Sequence, residues 1–141
     1  MIYFHSECSF QLKPKNNYKK WLKEVVSREG KRVGELNYIF CDNPYLLEIN
    51  LQYLQHNTYT DIITFDYSEE DLISGDIFIS VEMVQENAQE FGVSFEEELV
   101  RVLSHGVYHL CGYKDKTDAE SKQMRKKEEE AIALSREMSL L

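Results

Sequence analysis

Ser104-His105-Gly106-Val107-Tyr108-His109-Leu110-Cys111-Gly112-Tyr113-Lys114-Asp115 is the stretch on which the reading of this chain turns. Upstream and within it, Leu99, Leu103, Gly106 and Leu110 recur at the spacing of one helical face. His105 and His109 stand four residues apart on the same helix. At about 100° per residue, two such side chains lie within roughly 40° of each other, one turn apart. The histidines flank the apolar stripe without interrupting it, so they line a cleft while the stripe stays in the core.

Gly112 follows His109 by three residues. Glycine adopts the left-handed conformation that ends a helix and turns the chain sharply. Such a turn brings Asp115 back toward the two imidazoles. The spacing HxxxHxxGxxD thus offers one metal ion two nitrogens and a carboxylate oxygen, with a fourth position open to water. That is the pattern of a catalytic zinc, whose bound water is a nucleophile at neutral pH. Nickel accepts the same ligand set. Cys111 lies two residues from His109 on another helical face and reads as packing.

In the zinc-protease motif HExxH the general base directly follows the first histidine. Here that residue is Gly106, so peptidase chemistry with that base is not available. Phosphodiester cleavage asks less of the protein, because metal and substrate share the proton transfers.

Outward from this stretch the chain predicts alternating strands and helices. Residues 1–8 read as a short strand. Residues 15–29 form a helix with Tyr18, Trp21, Leu22, Val25 and Val26 on one face, and residues 35–41 form a second strand. Asp42-Asn43-Pro44 starts a helix that runs to about Gln55. Residues 60–67 are a third strand, Ser68 to Ser74 an acidic connection closed by Gly75, and 76–81 a fourth strand. Glu82–Phe91 is a short helix stopped by Gly92. Ser94 with Glu97 reads as a capping box for the helix from Phe95 to about Cys111. Thr117-Asp118 starts a last helix reaching the mid-130s. The step from the third strand to the fourth implies an antiparallel pair, so the expected fold is α/β (α+β), a small mixed four-stranded sheet packed with about five helices.

The chain has 141 residues, 43% hydrophobic and 29% charged, with six Gly and two Pro. That suits one domain, 1–141, with a single core. No apolar run approaches the roughly 20 residues of a membrane span, and the N-terminus lacks the pattern of a signal peptide. The expected location is the cytoplasm, with no membrane partner. Three cysteines without a CxxC pair agree with a reducing compartment. The net charge of −9 is unevenly spread. Residues 1–34 carry eight Lys/Arg against three Asp/Glu, residues 35–100 carry fifteen Asp/Glu and no Lys/Arg, and residues 101–141 carry eight against seven. The sum argues mildly against a nucleic-acid partner, and any RNA contact is to be sought on the first helix and the C-terminal segment.

The run Ser104–Asp115 resembles the signature HGxLHLxGYDH of the YbeY family of endoribonucleases. Four further segments agree: Ile49-Asn50 with Tyr53, Thr60-Asp61-Ile62-Ile63-Thr64-Phe65, Gly75-Asp76-Ile77, and Met124 with Glu128. The resemblance implies a zincin-like domain and a metal-dependent, single-strand-specific endoribonuclease. It also implies a role in maturing the 3′ end of small-subunit ribosomal RNA and in ribosome quality control, with ribosomal RNA and the small subunit as partners. The family's third ligand is usually histidine, where this chain has Asp115, and Lys114 stands where aspartate is usual. The family's arginine after the tyrosine of its asparagine-bearing helix is Leu54 here. His56, two residues on, is the candidate catalytic cation in its place. Two alternatives stay open: a ribosome-assembly binding factor with a mainly architectural zinc, motivated by the missing arginine, and, more weakly, a metallopeptidase. Oligomeric state is not legible.

Overall fold

Leu-Ile-Ser-Gly-Asp-Ile-Phe-Ile-Ser at 72–80 alternates large apolar with small or polar residues, the period of a strand. In the computed structural model, which describes residues 1–54 and 60–141, this segment is an inner strand of a four-stranded sheet. The element order is β1 (Ile2–Ser6), α1 (Lys15–Arg28), β2 (Arg32–Cys41), α2 (Asn43–Ile49), β3 (Ile62–Asp66), β4 (Leu72–Ser80), α3 (Val81–Phe91), α4 (Phe95–Leu110) and α5 (Asp118–Glu137). One π-helical turn, Asn50–Leu54, extends α2. The strands lie in the order β1-β2-β4-β3; β1, β2 and β4 are parallel and β3 is antiparallel to β4. The mixed sheet and the five helices are those expected from the sequence.

Strand alternation divides the apolar residues between the two faces of the sheet. Ile73, Ile77 and Ile79 of β4 join Leu36, Tyr38 and Phe40 of β2 in the main core, under Trp21, Leu22, Val25 and Val26 of α1 and Leu99, Leu103 and Val107 of α4. On the other face, Leu46 of α2 covers Cys41 and Ile63, with Phe65 and Phe78 packed beside them. Two buried hydrogen bonds lock the helices: Trp21 Nε1 donates to the Ala131 carbonyl at 2.9 Å, and the Tyr38 hydroxyl to the Leu103 carbonyl at 2.8 Å. Gly106 lets α4 settle closely on the sheet. A Cβ there would stand 2.9 Å from Ile77 Cδ1 and 3.2 Å from Ile62 Cδ1. Among the described residues no helix is long and apolar enough to cross a membrane.

Three expectations change. Strand β2 begins at Arg32 and β4 at Leu72, earlier than the 35 and 76 read from sequence. Gly34 and Gly75 read as breaks, yet both lie inside the sheet, where ladder hydrogen bonds outweigh glycine's poor strand propensity. The acidic connection therefore shrinks to a tight turn, closed by reciprocal backbone bonds between Glu69 and Leu72 at 3.0 and 2.9 Å. The Ser94 box is half formed. Ser94 Oγ accepts from the Glu97 N–H at 3.1 Å, while the Glu97 carboxylate pairs with Arg136 of α5 instead. The complete capping box is at Thr117 and Glu120, which start α5.

Glu98 is the ionisable residue that α4 carries deepest into the interior, at 3% exposure. Its Oε1 accepts no hydrogen bond among the described residues, and Arg101 Nε stands 3.7 Å away. Burial pushes the Glu98 carboxyl up to about 7; Arg101 and Arg125 pull against that rise, while Asp61 and Glu128 add to it.

Replacing Trp21 by alanine should destabilise the fold by about 3–5 kcal/mol; a urea midpoint unchanged from the parent would contradict this packing. A carboxyl raised in the folded state stabilises fully below its unfolded pKa, and the contribution is lost as pH rises through the folded value. Glu98→Gln should therefore flatten the fall in stability between about pH 4.5 and pH 7. Urea titrations across that window check it, and parallel profiles for parent and variant would refute it.

Candidate metal centre

Helix α4 places His105 and His109 on adjacent turns, with ring centroids 4.5 Å apart and planes at 78°. The bend after the helix is a Schellman cap. Gly112 N–H donates to the His109 carbonyl at 3.0 Å, and Tyr113 N–H to the Tyr108 carbonyl at 3.0 Å. Gly112 sits at φ 102°, a conformation that L side chains rarely adopt. The rings of Tyr108 and Tyr113 meet edge to face at 5.6 Å, the apolar contact that accompanies such a cap. The chain then returns, and Asp115 comes back to the histidines.

Three atoms converge. His105 Nε2 and His109 Nε2 are 2.9 Å apart, and Asp115 Oδ2 is 3.3 Å from the first and 3.5 Å from the second. Three ligands of a tetrahedral zinc with bonds of roughly 2.0–2.1 Å stand about 3.3–3.4 Å from one another. The triangle fits. Side-chain exposure rises from 18% at His105 to 29% at His109 and 40% at Asp115, so the open corner faces solvent.

The outer ring nitrogens determine what the inner ones present. His109 Nδ1 lies 3.0 Å from the Tyr113 carbonyl, which only accepts, so Nδ1 carries the proton. His105 Nδ1 lies 2.6 Å from Glu128 Oε2, and the carboxylate likewise takes an N–H. With the outer protons so placed, each ring in its neutral form turns a lone pair inward from Nε2, toward the other ring and toward Asp115 Oδ2. A cation among these three atoms satisfies all of them at once. The same field acts on protons: burial works to lower the His105 pKa, but the Glu128 hydrogen bond and charge, then Asp115 and Asp61, overcome it and leave it raised.

Both outer partners are themselves held. Glu128 is buried and accepts from Arg101 Nη1 at 3.2 Å, and Arg101 Nη2 reaches Glu129 at 2.7 Å. The Tyr113 hydroxyl donates to Glu29 at the end of α1 at 2.5 Å; Lys127 of α5 donates to the same carboxylate at 2.9 Å and lies 5.5 Å from the Tyr113 ring centre. The bend that delivers Asp115 is thus tied to two other helices.

The triad opens into a cleft of about 940 Å³ between β3 and the α4–α5 pair. Asp61, just before β3, lines it and accepts from Asn87 of α3 at 3.3 Å; burial raises the Asp61 carboxyl, against the pull of His105. Leu54 is on its wall. His56 lies outside the described residues. Cys111 stays apart from the triad, and burial pushes its thiol up to about 12, so it remains neutral. Sequence reasoning on the residues found neither Glu29 nor the Tyr113 carbonyl, and Glu128 appeared only through the family resemblance. Within the run Glu128–Glu130, composition does not distinguish the carboxylate that turns inward.

Similarity to known proteins places the chain in a family. The Endoribonuclease YbeY family profile matches residues 4–135. An endoribonuclease YbeY of Flavobacterium johnsoniae is 56% identical over 95% of this chain and 96% of its own. That of Christiangramia forsetii is 52% identical over 94% and 93%. A Thermotoga maritima protein solved in solution superposes with a TM-score of 0.69 at 32% identity, covering 97% of this chain and 91% of that one. Sequence, fold and relatives converge, and the chain belongs to the endoribonuclease YbeY family, hydrolases that act on RNA.

Proposed function

We propose that residues 1–141 act as one domain that holds a single zinc ion through His105, His109 and Asp115 and cleaves single-stranded RNA. The substrate in this reading is the 3′ end of small-subunit ribosomal RNA, with the small ribosomal subunit as partner and the cytoplasm as the place of action. The observation that carries it is the convergence of His105 Nε2, His109 Nε2 and Asp115 Oδ2, with the outer nitrogen of each ring set against an acceptor oxygen. Nickel satisfies the same donors, so the metal is a matter for measurement.

A divalent ion bound there supplies an acidic water and a Lewis acid for a phosphoryl oxygen. The protein's part is to hold the ligands in one tautomer. Glu128 keeps the proton of His105 on Nδ1, and the Tyr113 carbonyl does the same for His109. Asp115 adds a negative charge, which makes the bound water somewhat less acidic than three neutral imidazoles would. Gly106 stands where a zinc protease carries its base, and a Cβ there would crowd Ile77, which speaks against peptide hydrolysis. Leu54, exposed in the cleft where relatives are expected to carry arginine, favours the second reading, a ribosome-assembly factor whose zinc is architectural. Ribosome association that persists in a ligand-free variant, with no cleavage by the pure protein, is the mark of that reading.

The purified protein should contain one zinc per chain and cut single-stranded RNA in a reaction that a chelator stops. The His105→Ala/His109→Ala double variant should lose both properties; full cleavage by it would sink the proposal. Glu128→Gln should weaken zinc by about 10- to 100-fold, the usual effect of losing a ligand's outer partner. Competition with a chromophoric chelator measures this, and an unchanged affinity would show that Glu128 does not hold the ring.

A further inference from the structure

We propose that Phe91 is a stacking platform for one unpaired nucleobase of the RNA, while Lys116 and Arg125, on another wall of the same cleft, take its phosphates. The proposal rests on the endoribonuclease reading and extends it to how a single strand is seated.

Helix α3 turns one stripe inward. Val84 and Ala88 are buried on it, and Phe91 comes next at helical spacing. The stripe overshoots the core: Phe91 is 57% exposed and belongs to neither apolar cluster. Its backbone is held by the end of the helix. It is the last residue of α3, and the turn beyond it is closed by Gly92 N–H donating to Gln89 and Val93 N–H to Ala88, at 3.3 and 3.0 Å. One turn earlier, Asn87 is bonded to Asp61, whose carboxyl feels the charge of His105. An aromatic face thus stands exposed on the cleft that contains the metal triad.

Charge decides where the backbone runs. Asp61, Asp66, Glu98, Asp115 and Glu128 line the cleft and repel phosphates. Of the lining cations, Arg101 is engaged by Glu98, Glu128 and Glu129. Lys116, directly after the ligand Asp115, and Arg125, on α5, are exposed and in no ion pair among the described residues. Helix α4, which carries the histidines, packs against both α3 and α5, so Phe91 and Arg125 come from the two helices that flank it, while Lys116 lies in the bend after α4. A strand whose phosphates lie on Lys116 and Arg125 crosses the metal site with a base directed at Phe91. Stacking tolerates any base but needs a free π-face, which a paired and stacked base does not offer. The arrangement therefore selects single strands without reading sequence.

The test uses the zinc-loaded full chain and a single-stranded oligoribonucleotide carrying 2-aminopurine, followed by anisotropy and by fluorescence quenching. Phe91→Ala should weaken binding roughly 5- to 100-fold, the worth of one stacked base, and abolish the quenching, with zinc content unchanged. Phe91→Trp should restore both. The Lys116→Gln/Arg125→Gln variant should keep the quenching and make the slope of log affinity against log salt shallower by about 0.7 for each cation removed. Parent-like affinity and quenching in Phe91→Ala would overturn the platform while leaving the nuclease reading intact. A parent protein that neither binds nor cuts the oligonucleotide would instead overturn that reading, and the platform with it.

Discussion

Two ring protons hold this site open. Because Glu128 and the Tyr113 carbonyl engage the Nδ1 hydrogens of His105 and His109, the neutral form of each ring turns Nε2 inward as a base, beside the Asp115 oxygen. Three donor atoms so placed are set to share one cation. The surrounding contacts serve to keep it from relaxing. Arg101 restrains Glu128, Glu29 and Lys127 restrain Tyr113, and the Schellman cap sets the path from His109 to Asp115.

The sheet contributes distance. Helix α4 rests on β4 at Gly106 so closely that a methyl group would meet Ile77 and Ile62. That contact sets the depth of the two flanking histidines relative to β3, and it gives the residue between HxxxH ligands a packing reason to be small. Fold and chemistry meet at one position: the glycine that lets the helix dock is also the one that leaves no protease base.

The uneven charge of the chain becomes a spatial division. Residues 35–100, which contain no Lys or Arg, form β3, β4, α2 and α3 with their acidic connections. The cations that reach the cleft, Arg101, Lys116 and Arg125, all come from α4 and beyond. A polyanion therefore meets one wall of the cleft through its backbone and the other through uncharged groups. The basic run of α1, the other place where the sequence suggested RNA, lies away from the lining of this cleft.

Much was legible from order and spacing alone. Apolar periodicity located the helices and strands, the β3–β4 step implied the antiparallel pair, and His105, His109, Gly112 and Asp115 announced a ligand set because helix pitch and glycine's left-handed bend are local properties. Strand starts were misjudged at Gly34 and Gly75 because ladder pairing comes from other strands and no local propensity encodes it. For the same reason Glu29, Lys127 and the inward turn of Glu128 had no local signal: residues 29, 113 and 127 meet only when α1, the bend and α5 pack together. Spacing along one helix determined which atoms could hold an ion. The local cap set the acceptor for the outer nitrogen of His109, but tertiary packing alone decided which nitrogen of His105 would face that ion, since Glu128 arrives from α5.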